Sequence, residues 1–579
     1  MVRRLLFASL LLATAACGAR PGNGKGPLIQ RPTTTGAPAR SGALSTGGET
    51  RPALLESAAY RVRLPERALL TFGMGVAWAG EGEAPGWYRL SVRAGGRTLD
   101  ERTLNPRAAR GWREVSLWLP QVKGETQLEF DLRLTDRDGK PETPPPGLLL
   151  GIADPIVHDV DDYGSSKGVV LVSIDTLRRD HVGTYGYGKP TTPAIDALAA
   201  RSVVADDAVS VSSWTLPAHL SMLTSVDPGA HGGVDMQHGS NKRFPALATL
   251  FKRAGYATQA ITSHLYVSGV YGLDEGFDFL DFHQDRRASD VADRAIGLLD
   301  RLGDKPFFLF LHFYDPHWHY APPPETLGLF ESSYTGKVTG LWGEFSKLDR
   351  SALKPADLAH ILALYDGEIR YTDDHLKRVL THMTERGLDR GTLVLVTSDH
   401  GEEFLEHGSW EHQKTLYEEV VRIPLLLAGP SVTPRREARQ ASLLDVAPTV
   451  LAWAGLEVPG HMQGRSLLAP LPEREAYGET DHTNDGTRKL FLRSGQGRGK
   501  TILSLRRQDA VPAREEWYDL AADPGETRSR PPRADAAEVI RRRAIERWKQ
   551  ARGRGAGAPQ VTLSEEQRER LRALGYVVP

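Results

Sequence analysis

The sequence predicts an α/β protein with a doubly wound, mostly parallel sheet, preceded by a β-sandwich and followed by a smaller α+β region. The central sheet is predicted by three nearly continuous apolar runs, which are typical of strands buried on both faces of a parallel sheet. Amphipathic segments lie between the runs, as expected for right-handed βαβ connections. The flanking regions are predicted by alternating hydrophobicity before residue 158 and by a weaker, mixed pattern from residue 475.

Each of the three apolar runs ends in side chains that can take part in chemistry. The runs span Val169–Asp175, Phe307–His319 and Leu393–Glu403. One such ending would be weak evidence, because an Asp often only caps the next helix. Three endings with carboxylates and imidazoles indicate a polar site at the carboxyl edge of the sheet, where α/β proteins bind ligands. The residues concerned are Asp175, Asp315, His317, Asp399 and His400.

The N-terminal segment predicts the cellular compartment. Arg3 and Arg4 precede an apolar stretch over residues 5–13, which has the order of a secretory signal peptide and is too short for a permanent transmembrane helix. Cys17, the only cysteine, lies where a bacterial lipobox places its lipidated residue, although Thr14 departs from the usual Leu. We therefore predict a lipoprotein signal peptide over residues 1–17 and a lipid-anchored protein of the bacterial cell envelope, with simple secretion as the alternative.

Two regions are predicted between the signal peptide and the central sheet. Residues 18–50 are rich in Gly, Pro, Ser and Thr, which predicts a disordered linker. Residues 51–157 alternate apolar and polar side chains, for example Leu128, Phe130 and Leu132, which predicts a β-sandwich. Tryptophans of this region either form its core, the more common case, or present a carbohydrate platform. They are Trp78, Trp87, Trp112 and Trp118.

Residues 168–474 are predicted to form the catalytic domain and residues 475–579 a C-terminal subdomain. Helices of the catalytic domain are indicated by Pro at a first helical position, as at Pro193. The arginine-rich stretch 528–554 is mixed with acids, which predicts a solvated helical surface. Together with the formal net charge of −1, this argues against a nucleic-acid partner.

A candidate nucleophile lies between the first two runs. Pro217 suits a first helical position, so Thr215 falls at or just before a helix N-terminus, where unpaired N–H groups favour an anionic group. A Thr at this position is usually only a cap. A hydroxyl bound to a divalent cation, however, is more easily deprotonated and can attack phosphorus or sulfur. The nearby polar site therefore makes Thr215 a candidate nucleophile.

The order of motifs resembles the sulfatase branch of the alkaline phosphatase superfamily, from about residue 168 to the C-terminus. The resemblance implies an alkaline-phosphatase-like fold and an ester hydrolase. The motifs are the opening strand and helix Ser173–Ala199, the nucleophile segment Thr215–Ser225, the substrate-contacting histidine loop His312–Pro323 and the second metal-binding pair within Thr397–Gly408, then Leu416–Pro430, Glu516–Glu526 and the terminal LRALGYV.

Departures from the sulfatase pattern bear on the reaction. Sulfatases carry a Cys or Ser, oxidised to formylglycine, in a C/S-x-P-x-R motif, whereas this chain has Thr215 and His219 at the first and last positions. The extra methyl group of Thr prevents formation of that aldehyde. The Lys and His of the sulfatase GKWHLG motif are also missing from Ile261–Gly272, where His264 is either a replacement contact or a surface histidine.

The resemblance implies a metal-dependent reaction on phosphate esters, because superfamily members that act on phosphate use Thr as the nucleophile. Thr215 would attack the ester in line, and water or an acceptor alcohol would then resolve the covalent intermediate. Mixed carboxylate and imidazole ligation does not distinguish calcium, magnesium, manganese and zinc. The implied metal ligands are Asp175, Asp399, His400 and Thr215. The implied substrate-binding or proton-donating residues are His317 with either His412 or Lys414, and His219 is a further candidate catalytic residue.

Alternatives remain open for the metal and for the function. Asp315 and His319 are four residues apart, as in two-metal members, and His407 or His412 would complete a second site, but the same loop also matches one-metal sulfatases. The substrate that the resemblance implies is a small-molecule, lipid-headgroup or glycan ester of the phosphodiester, phosphomonoester or phosphoethanolamine type. One alternative is a sulfuric ester hydrolase. The other is an inactive surface lipoprotein that binds glycan, which buried like charges argue against.

Overall fold

The structure, a computed structural model, describes residues 39–573 except for a set of short segments. The segments left out are 47–48, 79–85, 105–111, 120–121, 160–167, 304, 332, 342–343, 345–346, 348–351, 484, 496–497 and 508–510. The predicted signal peptide, Cys17 and residues 18–38 of the predicted linker therefore lie outside the described residues. In the part of the chain that is described, no helix combines the length and the apolar composition needed to cross a bilayer.

Two antiparallel sheets form the N-terminal region. The strands are β1 Ser41–Thr46, β2 Glu49–Leu54, β3 Ala58–Leu64, β4 Ala68–Trp78, β5 Trp87–Ala94, β6 Arg97–Leu104, β7 Arg113–Trp118, β8 Gly124–Thr135, β9 Pro141–Glu142 and β10 Leu148–Asp159. One sheet has the order β1-β2-β10-β4-β7, and the other has the order β3-β8-β5-β6 with β9 paired to β8. Leu70 and Phe72 of the first sheet share one apolar core with Leu128 and Phe130 of the second. The region is therefore a β-sandwich, as the alternating sequence predicts.

The linker predicted to extend to residue 50 ends earlier than expected. Strand β1 begins at Ser41 and pairs with β2, and Leu44 is fully buried beside Ala53 and Trp112. The burial of Leu44 gives this segment an apolar contact that a disordered tether lacks. Among the other tryptophans of the sandwich, Trp78, Trp87 and Trp118 are partly exposed.

The central region alternates strands and helices. Its strands are β11 Gly168–Ile174, β12 Val203–Ala205, β13 Ala208–Val209, β14 Ala257–Thr262, β15 Phe279–Phe282, β16 Phe307–Phe313, β17 Thr392–Ser398, β18 Glu403–Phe404, β19 Trp410–Glu411, β20 Arg422–Ile423, β21 Leu425–Ala428, β22 Arg435–Glu437 and β23 Ala441–Ser442. Its helices are α1 Pro193–Ala199, α2 Thr215–Thr224, α3 Pro228–His231, α4 Leu247–Arg253, α5 Ala288–Leu302, α6 Pro324–Leu327, α7 Pro355–Glu385, α8 Glu418–Val421 and α9 Val446–Trp453.

An eight-stranded sheet with the order β15-β14-β16-β11-β17-β21-β12-β22 lies at the centre of this region. The sheet is mostly parallel, and β21 runs antiparallel to both of its neighbours. Successive residues of β11 face opposite cores: Val169 and Leu171 enter one, Val170 and Val172 the other. Helices therefore cover both faces of the sheet, which explains the continuous apolar runs.

The register of the three apolar strands positions the polar site. β11 lies between β16 and β17, and Ile174 is aligned with Phe313 on one side and Ser398 on the other. The residues that follow these positions therefore leave the sheet at the same level. This arrangement confirms that the acidic ends of the runs meet at one edge of the sheet.

The C-terminal region is an antiparallel sheet with a long helix. It contains β24 Ala476–Thr480, β25 Thr487–Arg493, β26 Gly499–Arg506, β27 Pro512–Asp519, α10 Ala534–Arg554 and α11 Glu565–Ala573. The arginine-rich helix α10 is more than a solvated surface, because it is tied to the rest of the fold. Arg547 contacts Asp227 at 2.8 Å, and Arg552 contacts Asp481 at 2.7 Å.

Candidate active site

Three side chains that follow the central strands come together at the carboxyl edge of the sheet. Asp175 follows β11, and Asp399 and His400 follow β17. All three are fully buried, and one potential ligand atom from each lies within 4.8 Å of the others. Nε2 of His400 is 3.1 Å from Asp399 Oδ2 and 3.7 Å from Asp175 Oδ1. We call these three residues the acidic centre.

The acidic centre fits a divalent cation. Asp175 Oδ1 and Asp399 Oδ2 are buried and accept no hydrogen bond from any residue that the structure describes. Burial and the neighbouring charge of Asp399 raise the pKa of Asp175 well above its usual value. Two buried carboxylates with uncommitted oxygens are costly unless a positive charge lies between them. Oxygen and imidazole donors of this kind suit several divalent metals and do not select one.

The contacts of His400 orient its ring for metal binding. Nδ1 lies 3.0 Å from the carbonyl oxygen of Gly401. Because a carbonyl only accepts, Nδ1 carries a hydrogen, and Nε2 is the nitrogen that faces the two carboxylates and would bind a metal. Burial alone would lower the pKa of His400, but Asp399 and Asp175 raise it to about 9. The negative potential that attracts a proton to Nε2 would equally attract a metal cation.

Thr215 lies beside the acidic centre. It is the first residue of α2, follows the extended Trp214 and is 1% exposed. Its Oγ1 is 3.5 Å from Nε2 of His400. The N-terminus of a helix stabilises negative charge on a nearby oxygen. The structure therefore brings the predicted nucleophile together with the predicted metal ligands.

His219 braces α2 against the sheet. Its Nδ1 lies 2.9 Å from the carbonyl oxygen of Thr215 and 3.5 Å from Asp399 Oδ2, and its Nε2 lies 3.0 Å from Ser173 Oγ. Both ring nitrogens are thus occupied within the protein, and burial lowers the pKa of His219 to about 4. The geometry favours a role in holding Thr215 and Asp399 over direct contact with substrate.

Two imidazoles flank the acidic centre, as predicted. The His412 ring lies 4.5 Å from the His400 ring and 4.9 Å from the His317 ring, measured between centroids. Burial lowers the pKa of His317 to about 3 and that of His412 well below its usual value. Lys414 is partly exposed and forms an ion pair with Glu411 at 2.8 Å. The site thus places neutral imidazoles inside and an ammonium group nearer to solvent.

The residues proposed for a second metal site are not brought together. One oxygen of Asp315 contacts Arg287 at 2.8 Å, and the other accepts a hydrogen bond from the backbone of Ala288 at the start of α5. His407 pairs with Glu419 at 2.7 Å. Among the described residues, the other group with ligand-like spacing consists of Glu403, His407 and Glu419, without Asp315 or His319. The four-residue spacing failed as a signal because the Asp315 carboxylate is committed to α5.

The structure adds residues that the sequence did not assign to the site. His312, the one ionisable residue within strand β16, has Nε2 3.2 Å from Asp175 Oδ2, and the backbone N–H of Ser263 donates to its Nδ1. The sequence could have indicated His312, because it is a histidine inside an otherwise apolar strand. His482 comes from the C-terminal region, and its ring lies 5.5 Å from that of Trp214. No motif pointed to His482.

The structure corrects the interpretation of His264 as a surface histidine. Its side chain is fully buried, and its ring stacks on Tyr314 at 5.2 Å. Tyr314 in turn stacks on His317 at 4.4 Å. Through the ring of Tyr314, His264 therefore supports the loop that is predicted to contact substrate.

Comparisons with known proteins identify the family. The sulfatase family model matches residues 167–456. An arylsulfatase of Clostridium perfringens is 23% identical over 436 residues, which cover 62% of this chain and 89% of that protein. The chain belongs to the sulfatase family, and it is a hydrolase of that family.

Solved structures confirm the alkaline-phosphatase-like fold. A protein solved in complex with its substrate D-glucosamine-2-N,6-O-disulfate has a TM-score of 0.56 at 20% identity, covering 67% of this chain and 98% of that one. The phosphonate monoester hydrolase of Agrobacterium radiobacter has a TM-score of 0.54 at 20% identity, covering 69% and 98% of the two chains. The fold is thus shared by a protein solved in complex with a sulfated sugar and by a phosphonate monoester hydrolase.

Proposed function

We propose that this protein is a metal-dependent hydrolase or transferase that cleaves phosphate-type esters through Thr215. The observation that carries the proposal is the position of the Thr215 hydroxyl, 3.5 Å from His400 Nε2 in a buried acidic centre with two uncommitted carboxylate oxygens. A Thr side chain cannot be converted to the aldehyde that sulfatases use. The likeness to a phosphonate monoester hydrolase supports a phosphorus centre.

Asp175, Asp399, His400 and Thr215 would hold the cation. When bound, it would make the Thr215 hydroxyl more acidic and offset the charge of the phosphoryl oxygens. Thr215 Oγ1 releases its proton to solvent and forms a bond to phosphorus while the bond from phosphorus to the leaving oxygen breaks, and a proton from His412 or Lys414 passes to that oxygen. His317 orients the phosphoryl group. Water or an acceptor alcohol then cleaves the phosphothreonine ester.

A sulfate ester is the second candidate substrate. The observation that favours it is that the curated relative from Clostridium perfringens is an arylsulfatase, and that a solved neighbour binds a disulfated glucosamine. The same residues could place a sulfuryl group, because sulfate and phosphate esters share a tetrahedral centre. Under this alternative, Thr215 attacks sulfur directly without formylglycine.

A panel of paired esters tests the proposal. Matched phosphate, phosphonate and sulfate esters of one phenol should be compared with one enzyme preparation. We expect turnover of the phosphorus esters, complete loss with Thr215→Ala and partial activity with Thr215→Ser, because only the hydroxyl is required. Mass spectrometry of a quenched reaction should find a phosphoryl adduct on the peptide that contains Thr215. Efficient turnover of the sulfate ester with inert phosphorus esters would overturn the proposal in favour of the alternative.

We further propose that the protein acts in the bacterial cell envelope on a small-molecule, lipid-headgroup or glycan ester. Support comes from the signal-like residues 1–17 and from Cys17 at the lipobox position. A single acylated cysteine would be the membrane-affine element after signal removal. Cys17→Ser should move the protein from the membrane fraction to the soluble fraction. Unchanged partitioning of this variant would rule out the lipid anchor.

A further inference from the structure

Glu402 is a buried carboxylate whose role the reaction above does not explain. It follows the ligand pair Asp399 and His400 and is inaccessible to solvent. Its Oε1 lies 3.0 Å from Nδ1 of His412, and its Oε2 accepts a hydrogen bond from the hydroxyl of Tyr320 at 3.0 Å. Burying a carboxylate is costly, and an apolar residue of similar volume would serve packing alone at least as well. Packing alone therefore does not explain Glu402, and its contact with His412 is the feature that needs a role.

The contact with Glu402 determines how the His412 ring lies in the site. With Nδ1 facing the carboxylate, Nε2 lies on the opposite side of the ring. There it is 3.5 Å from the side-chain nitrogen of Gln413, which is longer than a good hydrogen bond. The ring as a whole lies beside His400 and His317. A neutral imidazole can change its tautomer and rotate unless a partner holds one nitrogen.

Tyr320 holds the carboxylate in turn. Its ring is buried, with centroids 5.9 Å from those of Tyr365 and Phe404. The hydrogen-bonded series Tyr320, Glu402 and His412 therefore links the loop after β16 to the loop after β17. Both oxygens of Glu402 are occupied, so the carboxylate has little freedom to turn away from His412.

We propose that Glu402 is a positioning residue that acts through His412, holding its ring so that Nε2 meets the leaving oxygen of the ester. The inference rests on the proposed function, with His412 as the proton donor. His412 is neutral before the ester binds and takes up a proton from solvent at Nε2 as the anionic ester enters the site. As the bond from phosphorus to the leaving oxygen breaks, this proton moves to that oxygen. The Nδ1 proton stays on His412 and remains donated to Glu402.

The dependence of the rate on the leaving group separates this role from a purely structural one. A phenyl ester needs a proton on its leaving oxygen, whereas a 4-nitrophenyl ester of the same acid needs little help. We expect Glu402→Ala to lower kcat/KM about 10–100-fold for the phenyl ester and about threefold or less for the 4-nitrophenyl ester. Glu402→Gln should restore part of the loss, because its amide oxygen can accept from Nδ1. Metal content should be unchanged in both variants.

Glu403 provides a matched control. It is equally buried, but it accepts hydrogen bonds from the backbone of Ser409 and from the hydroxyl of Thr415, each at 2.8 Å, and none from the ring of His412 among the described residues. Glu403→Gln should alter the two rates by the same factor. In addition, Glu402→Ala should cause no further loss for the phenyl ester when His412→Ala is already present, because both changes remove the same function.

The outcomes distinguish this inference from the proposed function. If Glu402→Ala lowers both rates equally, or if its effect adds fully to that of His412→Ala, Glu402 is not a positioning residue. If His412→Ala is selective for the phenyl ester and Glu402→Ala is not, the inference alone fails. If His412→Ala shows no leaving-group dependence, both the proton-donor assignment and the inference are overturned.

Discussion

Two sets of acidic and imidazole residues were predicted as metal ligands, and the structure treats them differently. In the acidic centre of Asp175, Asp399 and His400, two carboxylate oxygens have no hydrogen-bond donor among the described residues. In the proposed second set, both oxygens of Asp315 are taken by Arg287 and by the N-terminus of α5. The residue types and the position after a buried strand are the same in both sets.

The difference lies in what surrounds each carboxylate. Asp315 belongs to a buried network in which Arg287 contacts both Asp315 and Glu368, so a permanent cation already lies beside it. The basic side chains that contact Asp175 and Asp399, among the described residues, are histidines. A carboxylate without a permanent cation nearby is the one that can bind a metal. The number of uncommitted lone pairs, and not the residue type, separates a candidate metal site from a structural ion pair.

The largest expected effect comes from changing the acidic centre. Asp399→Asn should lower kcat/KM by about a thousandfold or more, because it removes a metal ligand next to the reacting group. Bound metal, measured by elemental analysis, should fall with activity, while the circular dichroism spectrum stays that of the wild type. Asp315→Asn is the matched control and should keep its metal. Full activity of the wild type after exhaustive chelation would contradict the assignment of the acidic centre as the metal site.

A smaller effect, on the stability of the fold, is expected from changing Glu418, a buried carboxylate that already forms ion pairs. Burial opposes ionisation of Glu418, but Lys500 at 3.0 Å and Arg493 at 3.3 Å lower its pKa to about 2. This folded-state pKa lies below the unfolded value of about 4.5. The ion pairs therefore stabilise the fold fully above pH 4.5, and this stability is lost as the pH falls towards 2.

Glu418→Gln should remove that stability at neutral pH. We expect the free energy of unfolding to fall by about 2–3 kcal/mol at pH 7, with the difference from the wild type shrinking below about pH 4.5. Urea unfolding of the wild type and the variant at several pH values measures this difference in the free energy of unfolding. Glu526 also contacts Lys500, at 2.9 Å, but burial raises its pKa to about 7, so Glu526→Gln should not show this pH dependence and serves as the contrasting variant. A difference that grows as the pH falls would contradict the assignment.

The smallest expected effect is on stability after the Asp315 change. Asp315→Asn keeps one oxygen for the backbone of Ala288 but loses the charge that faces Arg287. Because Arg287 is partly exposed and keeps Glu368, we expect a loss of only about 1–2 kcal/mol in the free energy of unfolding. Thermal unfolding with and without added metal measures it. If added metal stabilises the wild type but not Asp315→Asn, then Asp315 takes part in metal binding after all.

Much of the site could be predicted because local rules act on it. Burial on both faces made β11 and β17 continuous apolar runs, and parallel pairing then placed Asp175 and Asp399 side by side. Pro217 indicated where α2 begins, although the helix starts at Thr215 and Pro217 is its third residue and not its first. Each of these steps depends on residues that are close in sequence or on one repeating strand geometry.

Other features depended on partners that are distant in sequence. His482 reaches Trp214 from a separate sheet, and Glu402 meets Tyr320 across two loops. Leu44 is buried only because Ala53, Trp112 and Ala153 surround it, which is why the end of the linker was misplaced. No local pattern in the chain records such pairings.

By itself, the sequence determined the layered fold, the edge of the sheet that carries the site, and the residues Asp175, Thr215, Asp399 and His400 that meet there. These follow from hydrophobic burial and helix termination, which each segment encodes locally. Only the tertiary structure decided which carboxylates are free to bind a cation and which already have one beside them, as Asp315 has Arg287. The physical reason is that the charge state and hydrogen bonding of a buried group depend on the few atoms packed around it, wherever in the chain they originate.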